Sequence, residues 1–365
     1  MSITSEGGGR TSRPRSPSRT AGRPGRTLPT PESFEAREPG RGRLATSPRR
    51  IPLRGWSDIL WRTWQETNAD RLTVVAGSVT YYTLLAIFPA IGVFVSLYGL
   101  FADVGEVQKQ LAQLSAVFPP AVVGLIGEQM VRLATGDAGG LSLAFLVSLL
   151  LSLWSASAGM RSLFDGLNIA YDEVERRSFL ARAAVTYGFT LALVLFLIVI
   201  SGILVAAPLA LAAVGLAEDW LIAIRWPLVY LLASAAFSVA YRYGPSRERA
   251  RWRWLTLGAA VAAALWMVGS AGFSWYVNNI AGLDRTYGPL GAVIAFMIWI
   301  WFSVIVVLVG AELNAEIEHQ TALDSTTGPA EPIGERGATM ADTVGVRFGG
   351  LRGLLGGLLG RVKRR

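Results

Sequence analysis

Cysteine is missing from all 365 residues, which excludes disulfides, thiol catalysis and thiolate metal sites. Histidine occurs once, as His319, so a histidine-built metal centre is excluded as well. Lysine stands only at Lys109 and Lys363, and arginine carries nearly all the positive charge. Charge of either sign is scarce: 16% of residues are charged and 52% are hydrophobic, whereas ordinary soluble domains are about a quarter charged.

What is present is long apolar blocks. A hydrocarbon core about 30 Å thick takes roughly twenty apolar residues of helix. Blocks at 74–101, 141–158, 183–216, 222–241, 255–277 and 290–313 meet that need, the second only just. The pattern predicts an all-α integral membrane protein built as a six-helix transmembrane bundle. No charge interrupts the third block between Arg182 and Glu218. It must therefore tilt strongly, project beyond the bilayer, or break near Gly202 and Pro208.

Arginines cluster after the second block (Arg161, Arg176, Arg177, Arg182) and after the fourth (Arg242, Arg247, Arg249, Arg251, Arg253). Every second connection is thus basic, which marks the cytoplasmic side. Six crossings then place both termini on the cytoplasmic side. The spanning domain covers 74–318. Before it lie a basic, disordered arm at 1–52, rich in Pro, Ser and Gly, and an amphipathic interfacial helix at 53–73. Within that helix Leu53, Trp56, Leu60 and Trp64 form the apolar stripe. After the spans come a polar linker at 319–345 and a basic amphipathic tail at 346–365. The tail reads equally as an interfacial helix on anionic lipid or as a flexible glycine-rich end. On the outer side, 104–135 holds two amphipathic stripes divided by Phe118-Pro119-Pro120, expected to lie as extracytoplasmic helices.

Three stretches are more distinctive than generic membrane helix. The first runs from Ala76 through Ser78, Tyr81 and Tyr82 to Pro89. The second is Phe164-Asp165-Gly166-Leu167-Asn168-Ile169-Ala170-Tyr171. The third joins Tyr287-Gly288-Pro289-Leu290 to Gly310-Ala311-Glu312-Leu313-Asn314-Ala315-Glu316. In this order the motifs resemble the YihY/BrkB family of bacterial inner-membrane proteins, over roughly 56–318. The resemblance implies a multi-pass membrane protein. Family names attach to virulence and serum resistance, and to an older ribonuclease BN label. It implies no catalytic site.

Ribonuclease chemistry fits the residues poorly. Metal-dependent hydrolysis needs clustered ligands around an open metal position, and metal-free cleavage needs an acid–base pair. Neither pattern occurs, so no enzyme activity, no metal, no cofactor and no nucleic-acid partner are expected. Membrane lipids are the expected partners, with anionic headgroups at both tails, and homo-oligomers or other membrane proteins are left open.

Polar residues near the ends of spanning helices are functional candidates because burying them is costly. Ser78, Tyr81, Tyr82, Pro89, Arg161, Asp165, Asn168, Tyr171, Glu312 and Asn314 all fall toward the predicted cytoplasmic face. They are the candidate substrate-binding cluster, for a lipid or other amphipathic envelope substrate. Each also has a plainer reading, as helix packing, an interfacial anchor, a helix cap, or a pairing of Glu312 with Arg161 or Arg177. Two rival functions stay open: a small-solute or ion transporter, and a non-catalytic scaffold.

Overall fold

A computed structural model describes residues 29–99, 143–213, 218–277, 279, 287 and 290–349. The outer pair of stripes at 104–135, residues 1–28 of the arm and 350–365 of the tail lie outside the described residues. Among the described residues the regular structure is helical, with one isolated antiparallel bridge between Ala250 and Thr326.

Two helices precede the bundle, α1 (Pro31–Arg37) and α2 (Leu53–Ala69). Six long ones follow: α3 (Leu72–Gly99), α4 (Leu143–Ala170), α5 (Phe179–Ala213), α6 (Glu218–Tyr243), α7 (Trp252–Tyr276) and α8 (Leu290–Glu318). A one-turn α9 (Thr339–Asp342) closes the described chain. Three of the long helices contain stretches apolar and long enough to cross a membrane among the described residues: Phe179–Phe196, Trp252–Tyr276 and Val293–Glu318. The third apolar block does not break. It is one helix of 35 residues through Gly202 and Pro208, about 50 Å long, so tilting or projection must absorb its excess.

Helix α8 is the axis of the packing, touching α2, α3, α4 and α7. Its closest approach is to α7, where glycine faces glycine. A Cβ on Gly258 would come within 2.5 Å of the Gly310 carbonyl oxygen, and one on Gly310 within 2.5 Å of the Tyr241 hydroxyl. Small residues permit backbone contact of this kind, which lipid cannot drive by hydrophobicity. Asn314 ties the crossing: its Oδ1 accepts from Gly258 N–H at 2.8 Å and its Nδ2 donates to the Leu255 carbonyl at 2.8 Å. Tyr241 adds a hydroxyl donated to the Val307 carbonyl at 2.7 Å. The core around this crossing holds Leu72, Ala76, Phe164, Leu167, Ala259, Leu308 and Ala311.

Helix α2 buries Ile59 but also charged and polar side chains on its inward face. Asp58, Arg62 and Thr63 are buried, while Leu53 is 88% and Trp64 71% exposed. The inward charges are matched. Arg62 pairs with Glu316 and donates to Gln320 Oε1 at 2.8 Å, and Asp58 pairs with Arg41 at 2.5 Å.

The disorder expected for all of 1–52 does not hold over 29–52, and the linker at 319–345 is packed rather than loose. Arg43 is buried and donates to the Gln320 and Gly345 carbonyls at 3.1 and 2.7 Å. Thr321 donates its hydroxyl to the Ala45 carbonyl at 2.8 Å, and Phe348 N–H donates to Asp58 at 2.8 Å. Arm, α2, the end of α8 and the tail thus interlock as a polar cap, where arginines satisfy backbone carbonyls that an apolar core could not.

Candidate functional site

Helices α3, α5 and α7 begin, and α4, α6 and α8 end, at the same arginine-rich end of the bundle. Of the ten candidate residues, four meet there in the interior: Asn168, Tyr171, Glu312 and Asn314 are all buried. Asn168 sits in the last turn of α4, where its Oδ1 accepts from Ser246 N–H at 2.7 Å and its Nδ2 reaches Glu175 at 3.3 Å. It therefore binds α4 to the segment following α6 rather than merely ending a helix. Tyr171 lies under the Arg247 guanidinium, 4.4 Å from its ring centroid. Its hydroxyl is buried, and burial pushes its pKa well above the ordinary phenol range. Arg247 in turn grips Glu318 through two bonds of 2.5 and 3.1 Å, both side chains almost fully enclosed.

Glu312 is the exception in this paired interior. It is 1% exposed, and its Oε2 has no hydrogen-bond partner among the described residues. The pairing expected with Arg161 or Arg177 does not occur. Arg177 is bonded to Glu175 at 2.6 Å, and Arg161 makes no ion pair among the described residues. The reason is position: α8 points Glu312 toward the α2–α3 junction, where the surrounding charges are acidic, namely Asp70, Glu66, Asp172 and Glu316. Asp70 is half-buried, and burial with the charges of Asp172, Glu66 and Glu316 pushes it up to about 6. His319 is mostly covered, with one ring nitrogen 3.5 Å from Glu316 and the other 3.1 Å from the Thr343 hydroxyl.

The remaining candidates sit apart from these four. Ser78 accepts from the Ser162 hydroxyl at 2.8 Å on an exposed seam between α3 and α4. Tyr81 faces outward, 57% exposed, edge-on to the half-covered Tyr82. Asp165 is half-exposed on α4 and paired with Arg182 at 2.5 Å. Pro89 lies within α3, with its side chain outside those described.

Of the five arginines at 242–253 that serve as a topology signal in the sequence, Arg242, Arg247 and Arg249 line a cavity of about 580 Å³ with Arg176, Arg177, Val185 and Phe189. The available clue was the alternation of Arg242, Tyr243, Arg249 and Trp252, cations next to aromatic rings. Among the described residues, no three His, Cys, Asp or Glu side chains group closely enough to hold a metal ion.

The sequence profile described as Virulence factor BrkB matches residues 63–333, spanning α3 through α8 and the polar end just described. The chain belongs to the BrkB family. Among its relatives, the putative ribonuclease-like protein YfkH of Bacillus subtilis is 32% identical over 260 residues, 68% of this chain and 90% of the relative. A UPF0761 membrane protein of Vibrio vulnificus is 25% identical over 286 residues, 74% of this chain and 87% of the relative. One from Vibrio cholerae is 27% identical over 270 residues, 69% and 85%. No solved structure matches the chain. The BrkB match includes Glu312, Asn314, Asn168 and Tyr171, and extends past α8 into the packed linker. The arm up to Arg62 lies outside it.

Proposed function

We propose that this BrkB-family membrane protein is a non-catalytic, six-span protein of the bacterial inner membrane that transports or handles a lipid or another amphipathic envelope substrate. Its termini and arginine-rich end face the cytoplasm, following the loop charges. The observation that carries the reading is Glu312, enclosed at the end of the apolar helix α8 with one oxygen unsatisfied. A buried carboxyl without a partner costs several kcal/mol, and a structural role would favour an apolar residue there. A substrate's polar head, bearing an amine or hydroxyl donor, supplies the missing bond. The apolar surfaces of α4 and α5, where Leu150, Trp154 and Leu195 are exposed, suit its chains.

The test is native mass spectrometry on protein extracted gently with its surrounding lipids, comparing wild type with Glu312→Gln. Selective retention of a lipid class with an amine in its headgroup by the wild type, lost in the variant, is expected. Unselective lipid in both proteins counts against lipid handling and favours solute transport.

A further inference from the structure

The cavity beside α5 and α6 has a chemistry that the protein leaves half-finished. Its floor is cationic, and two of its guanidiniums share one aromatic ring: Arg242 lies 5.6 Å and Arg249 5.1 Å from the Tyr243 centroid. Arg242 is also stacked 4.6 Å from the Trp252 ring and donates to the Ala250 carbonyl. These contacts fix the plane of the guanidinium, yet its Nε is buried with no hydrogen-bond partner. The other lining arginines differ: Arg177 is matched by Glu175 and Arg247 by Glu318. Neither Arg242 nor Arg249 makes an ion pair among the described residues, and neither does Arg176 at the rim. Two acids lie nearby. Glu173 accepts from Thr339 N–H at 2.7 Å, and Glu248 lines the rim beside Gly337 without pairing to an arginine.

Two like charges held against one ring repel, and an anion bound beside them relieves that repulsion. A tetrahedral phosphate oxyanion suits planar guanidinium forks. Part of the lining is apolar. Val185, Gly188 and Phe189 belong to the spanning stretch of α5, and a Cβ built on Gly188 meets nothing within 4 Å. A cationic floor beside a gap in a spanning helix is how basic pockets between membrane helices hold lipid headgroups.

We propose that Arg242 and Arg249, with Arg176 at the rim, form a site for a phosphate-bearing headgroup whose acyl chains lie along α5 at Gly188. The identity of the ligand as a lipid rests on the lipid-handling reading above, whereas the anion chemistry rests on the arginines alone.

The experiment is calorimetric titration of the full chain in detergent with short-chain phosphatidylglycerol, short-chain phosphatidylcholine and glycerol phosphate. Wild type is expected to bind phosphatidylglycerol about tenfold more tightly than phosphatidylcholine, the effect of one to two uncompensated arginines. Arg249→Gln and the double variant Arg242→Gln/Arg249→Gln should bring the two lipids to nearly equal affinity. Gly188→Leu keeps every charge and fills the gap, so it should weaken both lipids and leave glycerol phosphate binding unchanged. It also serves as the check if the double variant does not fold.

Undiminished preference for phosphatidylglycerol in folded Arg249→Gln and in the double variant overturns the site. If no lipid binds the wild type, the lipid-handling reading fails first. Glycerol phosphate binding that is lost with the arginines then assigns the site to a soluble phosphate, and no binding removes it. Glu312→Gln is expected to keep the phosphatidylglycerol preference, which separates the two sites.

Discussion

Asp70 and Glu175 show how single side chains set the pH behaviour of this end of the bundle. Asp70 is raised to about 6 by burial and by its acidic neighbours Asp172, Glu66 and Glu316. A raised carboxyl favours the folded state when protonated, so this contribution is complete below about pH 4 and is lost as pH rises through 6. Glu175 is opposite: hydrogen bonding from Arg177 holds it down to about 2, so its contribution is present above the ordinary glutamate range and lost as pH falls toward 2. Asp70→Asn should therefore raise the melting temperature at pH 7.5 more than at pH 4.5. A shift equal at both values contradicts the assignment. At the α7–α8 crossing, Gly310→Ala should destabilise by about 1–3 kcal/mol through overpacking on Tyr241 and Ala262. Gly272→Ala, which meets nothing within 4 Å, should be neutral or stabilising by up to about 1 kcal/mol. Thermal unfolding of the two variants decides it. Asn314 and Asn168 stand out in the sequence because amides are rare beside apolar blocks. Their partners, Gly258, Leu255 and Ser246, do not, since contacts across 56 to 78 residues leave no local trace.

Helix α2 and the polar cap show the same limit one scale up. The apolar stripe of Leu53, Trp56, Leu60 and Trp64 is legible from its spacing; Leu53, Leu60 and Trp64 are exposed in the structure, whereas Trp56 is half-buried against Ile59, Trp254 and Leu313. What spacing does not reveal is that the opposite face is buried through Asp58 and Arg62, because ion pairs with Arg41 and Glu316 make that face acceptable inside. An outward apolar stripe beside a membrane bundle belongs in the lipid interface. Brominated lipid should quench the fluorescence of Trp64 strongly and that of the enclosed Trp254 weakly, measured on single-tryptophan variants. Equal quenching of the two contradicts this placement. Residues 29–52 look disordered by composition, since few apolar side chains are available to bury. They are ordered by arginine donors reaching carbonyls nearly 300 residues away, such as Arg43 on Gly345. Arg62→Ala leaves Glu316 enclosed without its main partner and should cost about 3 kcal/mol. Limited proteolysis should then cut within 29–52 and 319–345 well before cutting the bundle.

At the scale of the whole molecule, helix positions were the most legible feature, because each of six apolar blocks contains or overlaps one long helix. The convergence of Asn168, Tyr171, Glu312 and Asn314 was legible through loop charge, which puts alternate helix ends on one face. The basic cavity was not, because arginine that orients a membrane protein and arginine that binds an anion look alike until their partners are known. With no native cysteine, single cysteines placed at the exposed Glu32 and Glu335 report topology directly. An even number of crossings predicts that both label from the same side of sealed vesicles. On the proposed lipid-handling function, the polar head of a lipid enters the bundle at its arginine-rich end, beside Glu312. A phospholipid carrying a photoreactive group next to its headgroup tests this most directly, by cross-linking in membranes followed by peptide mapping. Labelled peptides containing Tyr171 and Glu312 are expected, with labelling much reduced in Glu312→Gln. Labelling confined to outward side chains such as Leu150 and Leu195, and unchanged in the variant, would contradict it.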